Sequence, residues 1–132
     1  WDFNYGKEFT DDVINEILTA LKPDYVEGIS LLGGEPFEPE NREGLIKLLE
    51  KVRNELPEKN VWCYTGFTFE KLIEISEKHP NMLELLNNID VLVDGKFIES
   101  EKSYDLYYKG SRNQRIIDVA KSIENKLVDE LL

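Results

Sequence analysis

Residues 28–36 read Gly-Ile-Ser-Leu-Leu-Gly-Gly-Glu-Pro, and this stretch decides the fold class of the chain. It is a short apolar run bounded by glycines, which is typical of a buried strand. A helical pattern precedes it, from the N-cap candidate Thr10 to Pro23, and a second one follows between Asn41 and Glu55. Helix, strand and helix in alternation predict a parallel α/β sheet that is covered by crossover helices.

The alternation continues along the chain. Further strands are predicted at residues 61–65 and 89–93, and helices at residues 68–78 and 82–87. Beyond Gly95 the pattern weakens: residues 106–108 and 115–117 are candidate strands. A last helix is predicted from the stripe of Val119, Ile123, Leu127 and Leu131.

Length and charge limit the function classes. The 132 residues suit a single domain spanning 1–132, with 41% hydrophobic residues to build its core. The chain has 27 acidic and 16 basic residues, and a net charge of −11 disfavours binding to nucleic acid. Neither a signal-peptide pattern nor an apolar run of about 18 residues is present, so we expect no membrane partner and a cytoplasmic protein.

The beginning of the chain predicts a missing segment. The first residue is Trp1, and the only methionine is Met82. The first predicted element is a helix, with no strand before it to pack against. We therefore expect a fragment of a longer protein, with at least one strand and its loop upstream of Trp1.

Three predicted strands end in turns that contain glycine, at residues 32–36, 64–66 and 93–95. The carboxyl ends of parallel strands lie at one edge of the sheet, where α/β proteins bind ligands. Glycines let a ligand approach the backbone, and Glu35, Thr65 and Asp94 add polar side chains there. One such turn is usually no more than a strand end, whereas three with two acids favour a ligand site.

The same residues carry a family resemblance. Residues 33–36, Gly-Gly-Glu-Pro, resemble the GGEP motif of radical S-adenosylmethionine enzymes. The wider stretch 31–37, together with residues 62–66, 90–95 and 110–119 in this order, resembles the activating proteins of anaerobic (class III) ribonucleoside-triphosphate reductase. The resemblance runs from Trp1 to about Val119, and it implies an incomplete TIM-like (β/α) barrel, mainly of parallel strands, with its first strand missing here.

The resemblance also implies the chemistry. In the family, a [4Fe-4S] cluster held by a Cys-x3-Cys-x2-Cys loop reduces S-adenosylmethionine to methionine and a 5′-deoxyadenosyl radical. The radical abstracts hydrogen from a glycine of the partner reductase, and a reduced electron-transfer protein supplies the electron. By matched position, Gly33, Gly34 and Glu35 would bind the methionine amino group, and Thr65 and Asp94 are the next candidates for cofactor contact.

One family element is absent. The chain has a single cysteine, Cys63, so the cluster loop is expected only in the parent protein, and the fragment is expected to hold no metal and no catalytic residue of its own. Cys63 is interpreted as a buried apolar residue within a strand, and His79 as a solvated turn residue.

The sequence leaves the roles of two groups of polar residues undecided. Arg112 and Arg115 flank a polar turn that either is solvated or docks the partner's glycine loop or an anionic cofactor group. Tyr104, Tyr107 and Tyr108 either face a partner or pack within a strand. Two alternative functions also remain: an activase of another glycyl radical enzyme such as pyruvate formate-lyase, and a non-redox α/β domain that binds a small ligand.

Overall fold

A computed structural model describes residues 2–4, 10–32, 35–96, 98, 100, 113–125 and 128–131. The strands are β1 (Asp2–Asn4), β2 (Gly28–Leu32), β3 (Asn60–Tyr64), β4 (Val91–Asp94) and β5 (Arg115–Asp118). The helices are α1 (Asp11–Leu21), α2 (Pro39–Glu55), α3 (Phe69–Ser76), α4 (Pro80–Asn87) and α5 (Val119–Asn125).

The five strands form one sheet in the order β1-β2-β3-β4-β5. The first four are parallel, and β5 is antiparallel to β4. The mixed α/β class and the mainly parallel sheet are thus confirmed. Over the described residues the sheet runs from β1 to β5 without closing into a barrel.

One face of the sheet carries the core. Along β3, Val61 and Cys63 are fully buried, whereas Trp62 and Tyr64 on the opposite face are only half-buried. Parallel strands that follow each other in order, joined by right-handed crossovers, have all their connecting helices on one face. The buried side chains pack with the apolar faces of the helices in a single cluster. This arrangement leaves the strand ends and the second face to form a site.

The helix boundaries follow local sequence signals. Thr10 and Thr68 are N-caps, and each hydroxyl accepts a hydrogen bond from the backbone N–H three residues later at 3.2 Å. Pro39 and Pro80 are the first residues of α2 and α4, because proline already has the backbone angle of a first helical turn. Both helices therefore begin two residues earlier than predicted. His79 is the exposed residue before α4, as expected.

Three predictions about the elements are wrong. The chain does not open on a helix, because β1 precedes α1 and pairs in parallel with β2. Ile89 is not in a strand: its N–H still bonds to Leu86 O at the end of α4, and β4 begins at Val91. The last helix does not reach Leu131, because α5 ends at Asn125.

Residues after α5 return along β5. The Asp118 N–H donates to Asp129 O at 2.8 Å, and the Leu131 N–H donates to Ile116 O at 2.7 Å. The buried Ser122 hydroxyl accepts a further bond from the Asp129 N–H at 2.9 Å. The candidate strand at residues 106–108, with Tyr104, Tyr107 and Tyr108, lies outside the described residues. None of the described helices is long and apolar enough to cross a membrane.

Candidate functional site

The turns after β2, β3 and β4 lie at one edge of the sheet. The parallel register pairs Leu31 with Cys63 and Tyr64 with Val93, so that these three strands end side by side. Glu35, Thr65 and Asp94, which were singled out from the sequence, follow or close these strands. Gly33 and Gly34 lie outside the described residues. The structure therefore brings the three described candidates to a common edge.

Glu35 joins the first two turns. Its carboxylate accepts hydrogen bonds from the Thr65 hydroxyl, at 2.9 Å to Oε1 and 2.8 Å to Oε2. It also accepts from the backbone N–H of Gly66 at 2.7 Å and from that of Phe37 at 3.1 Å. We call this group, formed by Glu35, Phe37, Thr65 and Gly66, the Glu35 clasp. It fixes the turn after β2 against the turn after β3.

The donors of the Glu35 clasp are all neutral. In the part of the chain that the structure describes, no lysine or arginine forms an ion pair with Glu35. The carboxylate is half-buried, so its negative charge is only partly screened by water. The edge of the sheet therefore has a fixed negative charge that a cationic ligand group could neutralise.

Within the described residues, Asp94, unlike Glu35, forms an ion pair with an arginine. Its side chain is 1% exposed and forms a bidentate pair with Arg115, at 3.0 Å from Nε to Oδ1 and 2.5 Å from Nη2 to Oδ2. The Phe69 N–H at the start of α3 donates to Oδ2 at 2.8 Å. Both oxygens of Asp94 are thus engaged by the protein.

Arg115 also binds Glu70, which lies on α3 and is 63% exposed. Its hydrogen bond lowers the pKa of Glu70, and the two carboxylates together raise the pKa of Arg115. The sequence left Arg115 either at a solvated turn or in contact with a partner or cofactor. In the structure it pairs with Asp94 and Glu70 of its own chain. Arg112 lies outside the described residues. Arg115 joins β4, β5 and α3.

The turn after β4 is held from β5. Gly95 has a φ of +95°, a conformation that favours glycine. Its carbonyl accepts a hydrogen bond from Gln114 Nε2 at 2.9 Å, and its N–H donates to Phe67 O at 2.9 Å. The turns after β3 and β4 are thereby connected through the backbone.

Two side chains that the sequence did not single out support the turn after β2. Asn41 Nδ2 donates to Glu35 O at 2.8 Å, and the buried Arg42 donates from Nε to Phe37 O at 2.8 Å. Arg42 also reaches Asn81 Oδ1 on α4 at 3.3 Å. Asn41 and Arg42 are adjacent polar residues in the first turn of α2, and this position is the sequence signal that could have indicated their role.

A cavity of about 550 Å³ lies against the second face of the sheet. Ser30 of β2 and Trp62 and Tyr64 of β3 line it, together with Tyr25 in the loop before β2. Gly28 and Asn60, at the amino ends of β2 and β3, also line it, and Tyr64 is its lining residue nearest in sequence to the Glu35 clasp. Its aromatic side chains can stack against a flat ring.

The residues of this chain do not fit an iron–sulfur cluster. Thiolates are the usual cluster ligands, and the sequence has only Cys63, which is fully buried in β3 on the core side. Burial, and to a lesser degree the charge of Glu35, raise the pKa of this thiol well above its ordinary value. Among the described residues, no three His, Cys, Asp or Glu side chains are grouped to bind a metal.

Known proteins that share one name, and one family model, are similar to this chain. A family model described as a 4Fe-4S single cluster domain matches residues 1–117. Three proteins named anaerobic ribonucleoside-triphosphate reductase-activating protein are similar to the chain. The one from Escherichia coli K12 is 37% identical over 86% of this chain and 71% of its own length. The one from Vibrio cholerae is 36% identical over 88% and 72%, and the one from phage T4 is 34% identical over 88% and 69%. No solved structure matches.

Proposed function

The chain belongs to the family of anaerobic ribonucleoside-triphosphate reductase-activating proteins, and we propose on this premise that it acts as an activase through radical S-adenosylmethionine chemistry. Its substrate protein would be the glycyl radical subunit of the reductase, and the hydrogen abstracted would come from a glycine of that subunit. The electron would come from a reduced electron-transfer protein. We also propose that residues 1–132 are a single domain and that the sheet is part of an incomplete (β/α) barrel.

The observation that carries this proposal is the charge of Glu35. S-adenosylmethionine has an ammonium and a sulfonium group against one carboxylate, so its methionine end has a net positive charge. At the strand-end edge, Arg115 neutralises Asp94, whereas the Glu35 clasp has neutral donors only. Glu35 is therefore the acid at this edge that gains most from a cationic ligand. Gly33 and Gly34 directly precede it and would present backbone groups to the same ammonium.

The aromatic residues on the second face of β3 support the same placement, because Tyr64 directly precedes Thr65 of the clasp. A ligand with its methionine end at Glu35 would extend along β3, where Trp62 and Tyr64 can pack against an adenine ring. Thr65 and Asp94 lie at the junction of the turns, where their structural contacts shape the edge. In this arrangement the protein binds and orients the cofactor, while the cofactor carries the chemistry.

The reaction itself needs a reduced [4Fe-4S] cluster, for which residues 1–132 offer no set of ligands. This chain would instead serve to bind and orient the cofactor. What its described residues do is hold a negative charge and a rigid backbone edge for the cofactor. The 132 residues alone are expected to be inactive.

Two other functions were left open by the sequence. An activase of pyruvate formate-lyase would share the fold and the cofactor, but the similar proteins are all named for the reductase. A small-ligand domain without redox chemistry would also use the strand-end edge. The match to a 4Fe-4S domain model over residues 1–117 favours the activase.

The test uses the full product of the gene, reconstituted anaerobically with iron and sulfide. After reduction it should cleave S-adenosylmethionine to methionine and 5′-deoxyadenosine, and it should give a glycyl radical on the reductase by electron paramagnetic resonance. The variant Glu35→Gln should raise the KM for S-adenosylmethionine. The matched control Glu38→Gln changes an exposed side chain that makes no capping bond, and its KM should stay unchanged. A gene product that neither binds nor cleaves S-adenosylmethionine would exclude the function.

A further inference from the structure

We propose that Thr65 is a positioning residue, whose hydroxyl holds the Glu35 carboxylate in place for a cationic ligand without touching that ligand. The inference rests on the proposed function and deepens it. It assigns different roles to two residues that the sequence placed in one group of cofactor contacts. Glu35 supplies the charge, and Thr65 sets the position of that charge.

The hydrogen bonds of Thr65 are already in use. A hydroxyl has one proton to donate, and Thr65 shares it between the two Glu35 oxygens at 2.8 and 2.9 Å. The same oxygen accepts from the Phe67 N–H at 3.2 Å, and the Thr65 N–H donates to Val93 O at 3.0 Å. The residue is 5% exposed. A ligand that took its proton would have to break the bond to Glu35.

Positioning matters because a glutamate side chain is flexible. Fixing such a side chain on ligand binding costs conformational entropy, and a protein that fixes it beforehand avoids this cost at the binding step. Thr65 suits the task because its branched Cβ restricts the rotation that aims the hydroxyl. The Gly66 and Phe37 N–H groups complete the Glu35 clasp, so the carboxylate has one defined orientation.

The experiment measures binding of S-adenosylmethionine to the reconstituted, unreduced gene product by calorimetry. Thr65→Val keeps the shape of the side chain but removes the hydroxyl, and we expect a dissociation constant about tenfold higher. Thr65→Ser restores the donor and should bind within about threefold of the parent. As a matched control, Thr19→Val removes an exposed hydroxyl on α1 and should leave the affinity unchanged.

A double-mutant cycle with Glu35→Gln separates positioning from contact. If Thr65 acts through Glu35, the double variant Glu35→Gln/Thr65→Val should bind no more weakly than the weaker single variant. In the cleavage assay, Thr65→Val should raise the KM and leave the rate at saturation unchanged, which a generally damaged fold would not do. Thermal melts of each variant would verify that it is folded.

The outcomes are distinct. Losses of affinity that multiply in the double variant would show that Thr65 contacts the ligand by itself, and this would overturn the proposal. An unchanged affinity in Thr65→Val would overturn it as well. A parent protein that does not bind S-adenosylmethionine at all would refute the proposed function, and the role of Thr65 with it.

Discussion

Replacement of Arg115 by methionine should destabilise the protein strongly, because it removes the cation that neutralises Asp94. The Asp94 side chain is 1% exposed, and Arg115 contributes two of the three hydrogen bonds that it accepts from described residues. After the substitution, the Phe69 N–H is the donor that the described part of the chain still offers this buried carboxylate. Methionine preserves much of the apolar volume of the arginine stem, so the change acts mainly on charge.

The expected loss is about 2–3 kcal/mol of unfolding free energy. Breaking a fully buried ion pair typically costs about 3–5 kcal/mol, and we expect the lower figure because Arg115 is 25% exposed, so water can enter the space that its guanidinium leaves. With an unfolding entropy of about 2.1 cal/mol/K per residue, 132 residues give a fall in Tm of about 9 °C for 2.5 kcal/mol.

Urea unfolding followed by tryptophan fluorescence and far-ultraviolet circular dichroism would measure this loss. The matched control is Glu70→Gln, which breaks the other, 63% exposed partner of Arg115 and should cost less than about 1 kcal/mol. The double variant Asp94→Asn/Arg115→Met should be more stable than Arg115→Met alone, because it removes the stranded charge and keeps an acceptor for Phe69.

A loss below about 0.5 kcal/mol in Arg115→Met would refute the reasoning. So would a double variant that is less stable than the single one. The pH dependence gives a further check on Glu70, whose pKa Arg115 lowers. Its contribution is complete above the ordinary pKa of glutamate and disappears as the pH falls through the lowered value. The difference between parent and Glu70→Gln should therefore vanish in acid.

Three further predictions concern the strands and the cofactor. Gly34→Val should weaken S-adenosylmethionine binding to the full gene product by at least about tenfold, because a branched side chain blocks backbone approach, and an unchanged affinity by calorimetry would remove Gly34 from the site. Gly28→Ala should cost about 2–3 kcal/mol in urea unfolding, because its Cβ would lie 2.1 Å from Asn60 O on the neighbouring strand. The control Gly66→Ala, with a Cβ 3.5 Å from Glu35 Oε1, should cost less, and equal losses would contradict the steric reason. Residues 1–132, with or without Cys63→Ala, should retain no stoichiometric iron or sulfide in a colorimetric assay, and a cluster bound to either form would contradict the ligand argument.

Local sequence signals predicted much of the fold. The apolar runs of β2 and β3, the capping residue Thr10 and the burial of Cys63 depend on short-range patterns, and the structure confirms them. The parallel order of these strands then placed the predicted turns at one edge. β1 was missed because its three residues, Asp-Phe-Asn, have no strand pattern of their own and form a strand only by pairing with β2.

Local sequence patterns could not predict the side-chain contacts of the site. Glu35 and Thr65 are 30 residues apart, and nothing local shows that the hydroxyl points at the carboxylate. The pairing of Asp94 with Arg115 depends on β5 being antiparallel to β4, which the alternation of helices and strands does not predict. The sequence thus predicted which residues meet at the edge but not which of them neutralise one another.

The segment that returns along β5 also limits how another protein can bind. Its backbone bonds to Ile116 and Asp118 occupy positions on β5 that an added strand would use. Extended peptides often bind a sheet by adding a strand at its edge. A partner that used this mode at β5 would first have to displace residues 129–131 and the bond from Asp129 to Ser122. Recognition through side chains and turns at the carboxyl ends of the strands requires no such exchange.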